Sequence, residues 1–113
     1  MHELSIALSM VELVQAEVAK RGLSKVSEVK VVVGELSNVV PDALEFCWEV
    51  ATQETPAAGS KLVIEHRPVT ARCHACGQEF TVQEYHFLCP KCGSGDTEQT
   101  GGSELYIDHI LAD

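Results

Sequence analysis

The segment CHACGQEFTVQEYHFLCPKCG, residues 73–93, contains four of the five cysteines of the chain in two matched pairs. Cys73 and Cys76 are separated by two residues, as are Cys89 and Cys92, and twelve residues lie between the pairs. Each Cys-x-x-Cys turn directs two thiolates at one ion, so two turns supply a closed tetrahedral site. A glycine follows each pair, where a left-handed residue lets the turn close. The spacing predicts a structural zinc site.

The same cysteines could instead form disulfides, a redox pair or an iron centre, and each of these would imply a different class of protein. Two disulfides need an oxidising compartment, and the sequence shows no secretion signal, so we do not expect them. A redox Cys-x-x-Cys pair does not need a second copy with a matched glycine. A rubredoxin-type iron centre has the same ligands, and the sequence leaves the choice between zinc and iron open.

Cys47 lies on the apolar face of a predicted helix, where we expect it to pack as a small hydrophobe.

The residues around the cysteines, 70–102, are poor in branched aliphatic side chains. Because a strand pattern resumes after them, at 104–111, the cysteine module is predicted to be inserted into a larger unit. We predict an α/β domain at 1–69 plus 103–113 and a zinc-binding ribbon domain at 70–102. The predicted fold class is α+β, with a small three-stranded sheet and two helices beside an inserted zinc-ribbon module.

Helices alternate with strands outside the cysteine module. Apolar periods of three and four residues predict helices, and alternating β-branched residues predict strands. The predicted elements are a helix at about 4–20 stopped by Gly22, a strand at 29–33, a helix from Pro41 to before Pro56, and strands at 62–67 and 104–111. The buried stripe of the first helix is predicted to comprise Leu4, Ala7, Leu8, Val11, Val14 and Val18. His66 and His109 fall in predicted strands, and we expect them to be partly buried.

The composition restricts the function. The chain has 113 residues, 45% of them hydrophobic, and a net charge of -9. No stretch approaches the roughly 18 apolar residues of a membrane span, so we expect a cytoplasmic protein without a membrane partner. The acidic balance disfavours a nucleic acid as partner. A zinc-ribbon protein-interaction or transcription adaptor stays open as an alternative. We do not expect an enzyme, because four thiolates leave zinc no open position.

The start of the sequence, MHELSIA, offers a second kind of metal site. A bulky second residue hinders methionine removal, so Met1 is expected to keep its free α-amine. That amine, the amide and ring nitrogens of His2 and the amide of Glu3 can form fused chelate rings in one plane. Planar nitrogen ligands select Ni(II) or Cu(II) over zinc. The alternative is that His2 is exposed at a frayed terminus and Glu3 complements the helix dipole.

Several segments together resemble one protein family. They are MHELSIA at 1–7, GELSNVVPDALEF at 34–46, TPAAGSKLVIE at 55–65, the two cysteine pairs, and TGGSELYI at 100–107. In this order, over nearly the whole chain, they are similar to the hydrogenase nickel-insertion accessory proteins of the HypA/HybF family. The resemblance implies that the α/β unit, 1–69 plus 103–113, is a nickel-binding domain and that 70–102 is a separate zinc-binding domain.

The resemblance also implies a function and its residues. Family members deliver Ni(II) to the large subunit of nickel–iron hydrogenase together with a HypB-type GTPase, and some relatives serve urease maturation. The family's nickel site carries over to Met1, His2 and Glu3, with His2 the essential side chain. Its zinc ligands carry over to Cys73, Cys76, Cys89 and Cys92. Ni(II) is then transient cargo and Zn(II) structural, with His74 and His86 as candidates for a further nickel ligand. The open edges of a three-stranded sheet permit a homodimer.

Overall fold

The computed structural model describes residues 2–113, and Met1 lies outside the described residues. The elements are α1 (Glu3–Arg21), β1 (Val26–Gly34), a 3₁₀ turn (Glu35–Ser37), α2 (Pro41–Ala51), β2 (Lys61–Arg67), β3 (Thr70–Cys73), β4 (Glu79–Thr81), β5 (Thr97–Gly101) and β6 (Leu105–Ala112). They form two three-stranded sheets, ordered β2–β1–β6 and β4–β3–β5. The predicted α+β class is confirmed. No helix within residues 2–113 is long and apolar enough to cross a membrane.

The described chain divides into two compact units. The first, called here the helical unit, comprises the chain up to Val32, Val39–Glu65 and Tyr106–Asp113. The second, called here the ribbon unit, comprises Val33–Asn38 and His66–Leu105. The assignment of one predicted domain to nickel and the other to zinc stays a prediction.

The core of the helical unit is supplied by the two helices and the central strand β1. The helices pack against each other. Apolar side chains from both helices and from β1 are removed from water together, which is the main favourable contribution to folding of this unit. The buried side chains include Ala7, Met10, Val11, Val14, Val18, Val29, Val31, Leu44 and Trp48.

The ends of α1 follow the prediction closely, whereas its buried face differs from the predicted stripe. Gly22, at φ 66°, ends the helix by donating its N–H to a carbonyl of the last turn, as left-handed residues commonly do. Leu4 and Leu8 are each 49% exposed, so the prediction that these two residues belong to the buried face was wrong. They lie at the rim of the buried arc, because successive residues turn by about 100°. Glu3 and Met10 are buried instead.

The helix α2 begins with Pro41 in its first turn, as predicted, where the missing proline N–H leaves no helical bond unmade. Trp48, almost fully buried, donates its indole N–H to the Ser60 hydroxyl at 2.9 Å. A buried tryptophan normally needs such an acceptor. Cys47 on the same helix is half-buried and a free thiol, which agrees with a packing role.

Two histidines that were predicted to be partly buried are exposed. His66 lies in β2 and His109 in β6, the outer strands of their sheet. An outer strand has a neighbour on one side only, so its side chains are covered less than those of a central strand. The His109 ring lies 3.6 Å from a Glu28 carboxylate oxygen and 3.0 Å from one of Asp108. Contacts with these two surface carboxylates therefore account for the position of the His109 ring.

Two glycines bring backbone segments of the ribbon unit into direct contact. The Gly34 N–H donates to the Glu104 carbonyl and the Leu36 N–H to the Gly102 carbonyl, both at 2.7 Å. A Cβ on Gly34 would lie 2.3 Å from the carbonyl carbon and oxygen of Gly102. Only a residue without a side chain fits there, because the obstructing atoms are backbone. These two bonds hold residues 33–38, at the end of β1 and just after it, against the rest of the ribbon unit.

We expect Gly34→Ala to lower the free energy of unfolding by about 2–3 kcal/mol, the cost of forcing an extra methyl into a packed site. Urea denaturation followed by circular dichroism measures the effect. Gly95→Ala is the matched control, because its Cβ would meet only a Leu88 methyl at 3.5 Å, an ordinary contact. Equal stability of the two variants would contradict the close approach.

Candidate metal centre

The four cysteines are brought together by two turns of the same construction. The N–H of Gly77 donates to the Cys73 carbonyl, and that of Gly93 to the Cys89 carbonyl, each at 2.8 Å. Both glycines have φ 78°, so the left-handed residue predicted after each cysteine pair is confirmed. Each turn is closed further by the first cysteine of its pair, which donates its N–H to the carbonyl after the glycine at 2.9 Å.

The sulfur atoms lie at the spacing that a tetrahedral ion requires. All four lie within 4.8 Å of one another. The Cys73–Cys92 and Cys76–Cys89 sulfur pairs are each separated by 3.6 Å. Zinc–sulfur bonds of about 2.3 Å in a tetrahedron place neighbouring sulfurs roughly 3.8 Å apart. All five cysteines are free thiols, so the disulfide alternative is set aside. The cluster fits a structural zinc site, and among residues 2–113 it is the one such group found.

The thiols of the cluster differ in acidity because the balance between backbone N–H donors, burial and neighbouring sulfurs differs from one thiol to the next. The Cys92 and Lys91 N–H groups donate to the Cys89 sulfur at 3.5 and 3.4 Å and lower the pKa of Cys89 to about 6. For Cys92, the Ser94 N–H acts to lower the pKa, but the neighbouring sulfurs of Cys73, Cys76 and Cys89 together with burial outweigh it, and the pKa rises to about 12. Thiolates this close repel one another, and a divalent cation in place of the protons removes that repulsion.

His74, a candidate for a further nickel ligand, has both ring nitrogens engaged. Nε2 lies 2.9 Å from a Glu98 oxygen, and Nδ1 lies 3.2 Å from an Asp96 oxygen. Ionised carboxylates only accept hydrogen bonds, so the two contacts favour the doubly protonated, cationic ring. Glu98 and then Asp96 accordingly raise the pKa of His74. A doubly protonated imidazole offers no lone pair to nickel. His86 is exposed in a tight turn.

His2 stands immediately before the first residue of α1. Its side chain is exposed and makes no hydrogen bond capping the helix. The first bond of the helix runs from the Ile6 N–H to the His2 carbonyl at 3.1 Å. The N–H groups ahead of Ile6 therefore have no carbonyl acceptor within the helix. Met1, the third predicted nickel residue, lies outside the described residues.

Glu3 has a structural contact that the sequence analysis missed. Its side chain is only 5% exposed, and Oε2 accepts a hydrogen bond from the Val40 N–H at 3.1 Å. Val40 directly precedes α2, so the carboxylate connects the starts of the two helices. The signal was present in the sequence, because Glu3 precedes the stripe residue Ala7 by one helical turn and so faces the same side.

The observed arrangement defines a class of protein. A four-thiolate ribbon has no ligand position left for substrate, and the helical unit places an exposed imidazole at the beginning of its first helix. This combination is that of a small metal-binding protein whose four-cysteine site is structural in type.

Comparison with known proteins shows the family to which the chain belongs. A family model described as hydrogenase/urease nickel incorporation, metallochaperone, HypA, matches residues 1–112. The hydrogenase maturation factors HypA of Solidesulfovibrio magneticus and Chlorobaculum parvum are 45% and 39% identical to the chain, and the alignments cover 97% of each protein. The solution structure of the nickel metallochaperone HypA from Helicobacter pylori has the same fold, with a TM-score of 0.67 at 24% identity over 99% of this chain and 97% of that one. The chain belongs to the HypA family.

Family membership confirms the resemblance and the coarse function. The protein is a nickel metallochaperone of hydrogenase maturation, not an enzyme, and takes part in the hydrogenase maturation machinery. Nickel is its metal by family, and the four-cysteine cluster fits zinc. The transcription-adaptor alternative has no support from these matches.

Proposed function

We propose that the protein binds Ni(II) at its N-terminus and passes it to the large subunit of nickel–iron hydrogenase. The ligands in this proposal are the Met1 α-amine, the amide and ring nitrogens of His2 and the amide of Glu3. Four nitrogens in a plane suit Ni(II). The observation that carries the proposal is the exposed His2 side chain ahead of the first bond of α1, in a chain that the nickel-incorporation family model matches from residue 1.

The Glu3 side chain has a supporting part in this proposal. Its carboxylate accepts the Val40 N–H at 3.1 Å and is buried, so the backbone amide, not the carboxylate, serves nickel. The carboxylate is a positioning group that fixes the end of the chain against the start of α2. Groups that hold a metal ligand in its orientation without touching the metal commonly raise metal affinity.

The zinc assignment in this proposal falls on Cys73, Cys76, Cys89 and Cys92. Two features support it, the sulfur spacing and the pair of matched glycine-closed turns. Four thiolates saturate a tetrahedral zinc, so the ion holds the ribbon unit together and performs no chemistry. The two metals are then separated by ligand type, with thiolates for the resident ion and nitrogens for the cargo.

The proposed partners follow from delivery. We place the protein in the cytoplasm with a HypB-type GTPase and the hydrogenase large subunit as partners, and urease maturation factors as a second group. A homodimer is proposed through the outer strands of the β2–β1–β6 sheet, whose edges offer unpaired backbone groups.

Delivery is tested with purified components. The protein is loaded with one equivalent of nickel and mixed with nickel-free large subunit, the GTPase and GTP, with a chelator present to capture released ion. We expect nickel to appear in the large subunit despite the chelator, because the metal passes between proteins without being freed. His2→Ala is expected to transfer none, and His109→Asn, which removes an exposed imidazole in β6, is the matched control. Transfer equal to that from nickel salt alone would refute the proposal.

A further inference from the structure

The link between the two cysteine pairs contains a tight hairpin turn at residues 83–86, called here the ribbon tip. Gln83 and His86 form an antiparallel bridge, and the His86 N–H donates to the Gln83 carbonyl at 2.9 Å. The two residues between them, Glu84 and Tyr85, have φ values of 50° and 63°. Two left-handed residues in succession are the mark of a type I′ turn.

Glutamate and tyrosine are unfavourable residues for such a turn. Asparagine and glycine normally occupy these positions, because a Cβ meets the following carbonyl in the left-handed conformation. The Glu84–Tyr85 pair therefore keeps backbone strain that an Asn-Gly pair would relieve. Strain of this kind is found where the side chains themselves have a use, which directs attention to what the ribbon tip presents.

Apolar side chains are exposed at and just after the ribbon tip, and the residues next to them in the chain are fixed by burial and hydrogen bonds. Tyr85 is 64% exposed and Leu88, shortly after the turn, is 62% exposed. Below them Val82 is buried and donates its N–H to the Val69 carbonyl at 2.8 Å. The Thr97 hydroxyl donates to a carbonyl of the same link at 2.7 Å. A side chain carried on a backbone turn that is already formed needs no ordering of that backbone on binding, and tyrosine offers both apolar area and a hydroxyl.

The charge around the ribbon tip indicates the kind of partner. Glu84 is exposed beside Tyr85, and carboxylates outnumber cations in the ribbon unit. One of those cations, Arg72, is paired with Glu79 at 2.6 Å. The whole chain has a net charge of -9, which repels nucleic acids and anionic lipid surfaces. An apolar protein pocket with lysine or arginine at its rim is the complementary surface.

The geometry points to the ribbon tip as a docking element that inserts Tyr85 into an apolar, cation-rimmed pocket of the protein that receives nickel. This inference rests on the proposed function. While nickel leaves its terminal ligands, the recipient has to be held by contacts that do not themselves release metal. The ribbon tip meets this condition, because it belongs to the ribbon unit whereas His2 and Glu3 belong to the helical unit.

The test uses the double variant Glu84→Asn, Tyr85→Gly, which relaxes the turn and removes the ring. We expect its ribbon unit to be at least as stable as that of the wild type, its zinc content and nickel affinity to be unchanged, and its affinity for nickel-free large subunit to fall by about thirtyfold, the loss typical of a hot-spot aromatic residue. Leu13→Ser is the matched control, because Leu13 is 59% exposed on α1. We expect Glu84→Gln to reduce the dependence of binding on salt concentration.

The outcomes separate the inference from the proposed function. If the wild type transfers nickel to the large subunit and the double variant binds and transfers equally well, the docking role is wrong and the proposed function stands. If the wild type neither binds the large subunit nor transfers nickel to it, both are wrong. If the Leu13→Ser control weakens binding as much as the double variant does, general loss of exposed apolar surface explains the effect and the inference fails.

Discussion

Removing the metal from the four-cysteine cluster, by a strong chelator or by Cys73→Ser, is expected to unfold the ribbon unit while the helical unit keeps its fold. The apolar core of the ribbon unit is small. It consists of Val69, Ala71 and Val82, with Leu36, Phe80 and Phe87 partly buried against them. Units below about 70 residues rarely hold together on such a core without a metal or disulfide, and structural zinc contributes about 10–16 kcal/mol in zinc-finger peptides.

The two units can be followed separately in one sample. Trp48 is the single tryptophan and is buried in the helical unit, so its fluorescence reports that unit alone. Amide spectra of residues 73–92 report the ribbon. We expect the ribbon amide signals to collapse into the unfolded range while the Trp48 emission stays blue-shifted. Cys47→Ser, which changes a half-buried thiol outside the cluster, should leave both signals in place. Ribbon signals that persist after complete removal of the metal would show that the core suffices.

The cysteine cluster was predictable from sequence because its geometry is local. Each pair and its glycine form a closed turn of a few residues, and Gly77 and Gly93 adopt the same φ. The strands around the cluster were not predicted. β4 has only three residues, and β5 reads TEQTG, a polar stretch without apolar alternation. β4 and β5 pair with β3 because of the turns beside them. The pattern of apolar residues within such short strands does not predict this pairing.

Long-range contacts account for most of the remaining differences between prediction and structure. The Glu3–Val40 bond joins residues 37 positions apart, and the Leu36–Gly102 bond joins a turn after β1 to the end of the ribbon. Sequence periodicity shows that Glu3 faces the buried side of α1, but it does not show which N–H meets it. The nickel residues stay a prediction, since Met1 lies outside the described residues.

Nickel binding is expected to be lost when the N-terminus is changed by a single residue. In the proposed site the α-amine, the His2 nitrogens and the Glu3 amide close fused rings around one ion, so one extra residue ahead of Met1 moves the amine out of the plane. His2→Ala removes the ring nitrogen. Each change breaks a chelate ring. We expect an affinity loss on the order of a hundredfold, because losing a ligand outright costs at least as much as disturbing a group that only orients one.

The measurement is nickel titration of the tag-free protein, followed by its d–d absorption. We expect the wild type to bind one equivalent with the spectrum of a square-planar nitrogen site, and both terminal variants to lose that spectrum. His66→Asn is the matched control, because His66 is likewise an exposed histidine but takes no part in the proposed site. Since the His74 ring is held by Asp96 and Glu98, His74→Asn should also leave nickel binding unchanged. Full binding by both terminal variants would place nickel at another site, and His86, exposed in the ribbon tip, would then be the next residue to replace.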